Sequence, residues 1–552
     1  MTNSGSSQAD SIKRRQEESL TREKASVYEL PYVDLSQTPI DRDAFSVLSE
    51  DVAQNKVIVI KEQKGVVQIA ISNPNDPTTK NILNNLRDKY DRVDVFIGSE
   101  TGIKEAWESH TSPKTKKKDI TGSVQVSENI LERFKGEITT VDSFQGVLNE
   151  ISDQNASHVF ELILSSALSM EATDIHIEPR KEGAIVRLKL DGLLYETAQL
   201  DDRLYKLVLS RIKLLSKLKL NIHDQPQEGR FSVMFEGRVV EIRASLLPSE
   251  YKEDIALRIL DPKFLLSLSD LGIRDDLLAT FKKQLTKPDG ILFVTGPTGS
   301  GKTTTLYAGI LHLNTPRVKI ITIEDPIEYH VKGTTQTQVN EDEGYTFSAG
   351  LKAILRQDPD IVLIGELRER ESAEVALQGA LAGRKVLTTL HTMDAAGTAP
   401  RLTDLGIDPA TTASALTASI AQRLVRKLCD ACKVEKTISN KEYSKLSPLV
   451  RALPQEIQPE LSDNQTKIYK NNPEGCSECR GTGYKGRVGV FEILTATKEI
   501  KNKISENPTD GELRDFAISQ GMTTITQDAA LKILNGITSI EEVERILGPL
   551  SE

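Results

Sequence analysis

Residues 290–304 read GILFVTGPTGSGKTT, and this stretch decides the fold. The apolar run ILFVT at 291–295 is a buried strand, and the apolar spacing over 302–313 is helical. Between them, GPTGSGKT at 296–303 fits G-x-x-x-x-G-K-[ST]. Glycines let the backbone curl until successive N–H groups point into one concavity, which holds phosphates at the start of a helix. Candidate nucleotide-binding residues are therefore Gly296, Pro297, Thr298, Gly299, Ser300, Gly301, Lys302, Thr303 and Thr304. Lys302 is expected to reach the β- and γ-phosphates of ATP, and the Thr303 hydroxyl to help hold Mg²⁺.

Outward from this loop, strands alternate with helices from about residue 265, the mark of an α/β fold with a parallel sheet. Ligands of such sheets sit at the carboxyl ends of the strands. KIITI at 319–323 ends in Glu324 and Asp325, and IVLI at 361–364 ends in Gly365 and Glu366. Acids there suit Mg²⁺ binding and the positioning of an attacking water. Glu366 and Glu324 are the candidate catalytic acids, Glu366 with Thr303 the candidate Mg²⁺ ligands. KVLTTL at 385–390 ends in His391, placed to sense a γ-phosphate.

The chain has 552 residues, enough for three or four domains. Its 70 Lys+Arg against 80 Asp+Glu give a net charge of −10, which argues against a nucleic-acid partner. No apolar run approaches the length of a membrane span, and residues 1–20 lack a secretory signal, so the expected location is the cytoplasm. All four cysteines fall in two CxxC pairs, Cys429 with Cys432 and Cys476 with Cys479. Two such knuckles suit one tetrahedral Zn²⁺ with no open position, hence a structural ion. Disulfides, an iron–sulfur cluster and unpaired thiols are the competing readings.

Residues 1 to about 30 are polar and read as disordered. A small α+β module is expected over 31–112 and a linker over 113–147. The four lysines of SPKTKKKD at 112–119 read as a solvated linker, with an anionic membrane surface as the alternative. A second α+β domain is expected over 148–264, and the domain carrying the glycine loop over 265–552. The latter includes the cysteine element at about 429–487 and C-terminal helices.

Taken together, IEDPIEY at 323–329, RQDPD at 356–360 leading to GELR at 365–368, and TLHT at 389–392 resemble the secretion ATPase superfamily of type II secretion and type IV pilus assembly. They match its Asp box, Walker B and His box in order and spacing. AQRLVRKLC at 421–429, GRVGVFEIL at 486–494 and ATDIHIEP at 172–179 extend the likeness. The resemblance implies a RecA-like core, a partner-docking N-terminal module and a homo-hexameric ring with ATP between subunits. Arginines of the second domain would reach the phosphates there, and Arg230, Arg243 and Arg258 are the candidates.

The resemblance also implies a motor at the cytoplasmic face of the inner membrane, acting on an inner-membrane platform protein and other pilus or secretion components. Assembly of type IV pili is the leading expectation, with the type II secretion pseudopilus as alternative. A nucleic-acid motor and a non-hydrolysing assembly factor are rivals of other classes. Departures from the family pattern are Arg384 after Gly383, Met393, Glu369, and a shortened NIHDQPQ at 221–227 that lacks the usual basic residues.

Overall fold

Apolar alternation sets the first strands. β1 (Val57–Gln63) and β2 (Val66–Ile71) pair antiparallel, and β3 (Arg92–Ile97) joins β2 in parallel. The crossover helix Pro77–Lys89 starts with proline in its first turn, and the Asp76 carboxylate accepts the N–H groups of Thr78 and Thr79. Trp107, on helix Glu100–Thr111, donates its indole N–H to the Val57 carbonyl at 2.8 Å.

This computed structural model describes residues 17–35, 56–63, 65–111, 123–125, 156–463 and 465–550, with isolated positions between them. It forms two compact units, Met1–Ile120 and Thr121–Glu552. In the first, residues 17–27 are helical, against the expectation of disorder up to about residue 30. Tertiary bonds replace the missing periodicity: the Glu18 carboxylate accepts from Tyr32 Oη and Ser99 Oγ, each at 2.6 Å, and Ala25 is buried. Residues 1–16 and the lysine run lie outside the described residues.

In the second unit, β4 (Ser123–Gln125), from the stretch expected to be linker, adds in parallel to a seven-stranded sheet. Its other members are β5 (Asp174–Pro179), β6 (Ala184–Leu190), β7 (Leu193–Leu200), β8 (Gln227–Phe235), β9 (Arg238–Pro248) and β10 (Glu253–Leu260). They run in the order β4-β8-β9-β10-β5-β6-β7. Alternation along β6 buries Ala184, Val186, Leu188 and Leu190. Helices Ala156–Ser169 and Asp202–Leu215 close that face, with Phe160, Ile163, Val208 and Ile212 in one core with Val186 and Ile242.

The sheet that positions the site contains β11 (Gly290–Thr295), β12 (Ile320–Glu324), β13 (Thr335–Gln338), β14 (Ile361–Ile364), β15 (Lys385–Leu390) and β16 (Leu416–Leu428). A small two-stranded sheet, β17 (Val434–Thr437) with β18 (Lys467–Lys470), precedes β19 (Tyr484–Thr495), the last strand of the large one. Strand order is β13-β12-β14-β15-β11-β16-β19. Both faces are covered: Ile291 and Phe293 enter one core, Leu292 and Val294 the other.

The sheet is parallel as expected except at one edge. β19 runs antiparallel to β16, from Ala418 opposite Thr495 to Leu428 opposite Tyr484. Between β16 and β19 the chain makes an excursion through Val434–Thr437, Asn440–Arg451 and Lys467–Lys470, and it re-enters the sheet beside the end of β16 that it left, which sets the antiparallel direction. Among the described residues, no helix is long and apolar enough to cross a membrane.

Candidate nucleotide site and tetracysteine cluster

The order β12-β14-β15-β11 brings four strand ends side by side, with the Asp-box acids, Glu366, His391 and the glycine loop following them. Gly296, Gly299 and Gly301 take φ of 147°, 78° and 87°. A Cβ on Gly296 would lie 2.6 Å from the Gln422 carbonyl oxygen, so the loop needs glycine there for close packing as well as for turning. Pro297, Thr298 and Gly299 form an exposed tip, while Thr303 and Thr304 are half-buried in the first turn of helix Lys302–Leu313. No side chain caps that helix at Gly301. Its first N–H groups and the positive end of its dipole are thus available to an anion. Ser300 Oγ is buried with no partner. These features fit a phosphate chain.

Lys302 Nζ donates to the carbonyls of Gly296 at 2.9 Å and Pro297 at 3.1 Å, lying across its own loop. Burial lowers its pKa; Glu366 opposes that shift and Arg423 adds to it. Glu366 is 16% exposed, with one oxygen paired to Arg368 and the other 3.5 Å from His391 Nε2. The loop carrying Glu366 is fixed from both sides. Gly365 N–H donates to the Ile323 carbonyl at 2.8 Å, and Thr389 Oγ1 to the Gly365 carbonyl at 2.7 Å. Lys302, Glu366 and His391 are therefore gathered at one end of the sheet.

Glu324 reaches the same end in a different state. It is buried, and its oxygens accept from Tyr307 Oη, from Thr322 Oγ1 at 2.6 Å and from Gln336 Nε2 at 3.2 Å. Three internal donors occupy the carboxylate, while Asp325 beside it is exposed.

The three candidate arginines form a row. Arg230 stands opposite Arg243 in the β8–β9 register, and Arg243 opposite Arg258 in the β9–β10 register. Arg243 donates to the Ile327 carbonyl of the Asp-box segment, Arg258 pairs with Asp174 at 3.1 Å, and Arg230 is exposed. Burial holds the pKa of the neighbouring Glu328 above its ordinary value, with Arg258 and Arg243 opposing that rise only in part. The row thus meets the Asp box of its own chain.

Antiparallel pairing of β16 and β19 assembles the cysteines. It sets Cys429, one residue past β16, against the segment before β19, where Cys429 N–H donates to the Gly483 carbonyl at 3.1 Å. The sulfurs of 429 and 476, of 432 and 479, and of 476 and 479 are each 3.8 Å apart. All four lie within 4.8 Å of one another. Four sulfurs at about 2.3 Å from a tetrahedral Zn²⁺ would stand about 3.8 Å apart, so the set fits that ion. Burial pushes the Cys479 thiol up, but the N–H groups of Cys476 and Gly483 outweigh it and bring it down to about 7.

Sequence reasoning passed over Gln422, Arg423 and Glu492 as site residues. Gln422 Oε1 accepts from Thr305 Oγ1 at 2.7 Å, joining β16 to the P-loop helix. Arg423 is buried and donates to the Met393 carbonyl at 2.8 Å, joining β16 to the loop after His391. Polar side chains inside otherwise apolar strands were the available signal, because burying them demands a partner.

The chain matches the family described as Type II/IV secretion system protein over residues 149–545, and the MshEN domain over residues 28–116. It is 33% identical over 532 residues to the type IV pilus assembly ATPase PilB of Myxococcus xanthus, covering 96% of this chain and 91% of that one. It is 40% identical over 407 residues to the type II secretion system protein E of Pseudomonas aeruginosa, covering 74% of this chain and 78% of that one. The solved structure of the Legionella pneumophila ATPase DotB has a TM-score of 0.50 at 22% identity. It covers 70% of this chain and 94% of that chain, a likeness of fold alone. With the glycine loop, Glu366 and His391 gathered at one end of the sheet, the chain belongs to the type II/IV secretion system protein family and is an ATPase.

Proposed function

We propose that this chain is a RecA-like, homo-hexameric motor at the cytoplasmic face of the inner membrane that hydrolyses Mg²⁺-ATP to power assembly of type IV pili. The observation that carries this is the convergence of an uncapped P-loop helix with Glu366 and His391. In this reading Lys302 and the loop N–H groups from Gly296 to Thr304 bind the phosphates. Thr303 and Glu366 hold Mg²⁺, Glu366 also orients the attacking water, and His391 senses the γ-phosphate. Glu324 shapes the site through Tyr307 and Gln336.

The arginine row supports sharing of the site between subunits. Like charges directly opposite one another in a sheet repel; Asp174 pairs with Arg258 and Glu241 lies 3.9 Å from Arg243, while Arg230 is exposed and has no ion pair among the described residues. A triphosphate offered by a neighbouring subunit supplies the missing negative charge. Zn²⁺ on Cys429, Cys432, Cys476 and Cys479 would lock the cysteine element. The N-terminal module, residues 31–112, would dock a partner, with an inner-membrane platform protein receiving the motion. The Myxococcus pilus ATPase covers nearly the whole chain, which favours pili. The Pseudomonas type II secretion protein, at higher identity over a shorter span, favours secretion as the second reading.

The test separates binding from hydrolysis. Glu366→Gln should bind ATP as the wild type does and lose about 100-fold in kcat, whereas Lys302→Ala should lose ATP binding itself. Wild-type turnover by Glu366→Gln rejects the assignment. Loss of surface pili, rather than of secreted proteins, in a strain carrying Glu366→Gln distinguishes the two biological readings.

A further inference from the structure

Glu492 is a charged residue in the middle of GVFEIL, an otherwise apolar stretch of β19, and it is 0% exposed. A carboxylate survives burial only where donors meet it. Here Oε1 accepts the N–H of Ala395 at 2.9 Å, and Oε2 accepts the N–H of Ile525 at 3.1 Å. Neither donor is bonded within a strand ladder or a helix. Ala395 lies in the loop four residues past His391, and Ile525 is the first residue of helix Ile525–Leu534, where N–H groups have no intrahelical acceptor. One side chain thus completes two separate backbones and ties them together.

The same loop is held at other points. Arg423 donates to the Met393 carbonyl at 2.8 Å on the P-loop side. Asp394 accepts from Gly397 N–H at 2.8 Å and faces Arg514, on helix Asp510–Ser519, at 3.6 Å. Beside Glu492, Phe491 N–H donates to Asp528 at 2.9 Å, so β19 and helix Ile525–Leu534 are joined by two carboxylates acting in opposite directions.

We propose that Glu492 is a positioning residue that sets the loop of His391 and couples it to the C-terminal helices. The proposal rests on the reading of His391 as the γ-phosphate sensor. Displacement of that loop by the γ-phosphate would reach Ile525 through one buried carboxylate. Conversely, the docking of the C-terminal helices would set how well His391 is placed for hydrolysis.

The experiment uses the full-length chain, with kcat and KM for ATP as readouts. Glu492→Gln keeps the volume, but its amide accepts one N–H and turns a donor toward the other. It should lower kcat about tenfold with KM within about twofold, the pattern of a group that matters in the transition state more than in binding. Amide exchange at Ala395 should accelerate in the same protein. Ile525→Pro removes the far donor at a helix position that tolerates proline, after an extended Thr524, and should lower kcat similarly relative to Ile525→Ala.

In a His391→Ala chain, adding Glu492→Gln should change kcat by less than about twofold, because a residue acting through His391 has nothing left to position. Wild-type turnover by Glu492→Gln overturns the proposal, and so does Ile525→Pro behaving like Ile525→Ala. A full tenfold loss persisting on top of His391→Ala also overturns it, while leaving the sensor reading intact. Wild-type turnover by His391→Ala alone defeats the sensor reading itself, and the coupling with it.

Discussion

Lys385, the first residue of β15, is buried with its ammonium donating to the Gln284 carbonyl at 2.6 Å and to Thr417 Oγ1 at 3.4 Å. Burial and the nearby Lys287 lower its pKa to about 8, with Asp289 opposing them. The folded pKa lies below the unfolded one, so the favourable contribution is complete above the unfolded value near 10.5 and is lost as pH falls through about 8. At neutral pH the buried charge costs about 3 kcal/mol relative to a neutral group. Core stability should therefore rise between about pH 8 and 10 in the wild type, beyond any rise in Lys385→Met. Thermal unfolding of both proteins across that range checks it; parallel curves would show that the lysine is solvated.

At the scale of elements, β16 and β19 carry both ends of the cysteine element. Between them lie β17, β18 and helix Asn440–Arg451, whose N-terminus is closed by a Ser439–Glu442 capping box. Leu446, Val450 and Ile468 share a core with Val425 and Ala529, and Lys445 pairs with Glu544, so part of this excursion is held without the cysteines. The purified protein should carry about one Zn²⁺ per chain, released by acid because protons compete for the thiolates. Cys432→Ser should lose the metal and loosen residues 433–475 while ATP affinity stays within about twofold. Elemental analysis finding iron or no metal sinks the zinc assignment, and proteolysis of the variant locates the loosened segment.

For the whole molecule, no hydrogen bond or ion pair among the described residues joins the arginine row to Lys302, Glu366 or His391. If a neighbour's triphosphate lies against the row, turnover per chain should rise with protein concentration as subunits assemble. Arg243→Ala or Arg258→Ala should lower turnover at saturating concentration by about tenfold or more, without lowering the unfolding temperature. Concentration-independent turnover, untouched by both substitutions, would leave the row without a catalytic part. The contact of Arg243 with Ile327 gives the row a second consequence. The sheet carrying it touches the Asp-box segment of its own chain, so movement of one is felt by the other.

What the sequence determined alone was local. Strand, glycine loop and helix lie consecutively over 290–313, so periodicity and turn chemistry suffice to place the P-loop, and the acids and His391 follow because each ends an apolar run. The CxxC pairs declared themselves through composition and spacing. Three features needed the tertiary structure. β19 turns antiparallel because pairing partners 56 to 77 residues apart, from Leu428 with Tyr484 to Ala418 with Thr495, are chosen by sheet closure and not by local propensity. Glu324 is occupied by Tyr307 and Gln336, donors that no spacing rule brings to it. Glu492 acquires its two N–H partners from segments 97 and 33 residues away in sequence. The physical reason is common to all three. Backbone hydrogen bonding and hydrophobic period act between near neighbours and are written along the chain, whereas satisfying a buried polar group depends on which distant donors the packed fold delivers.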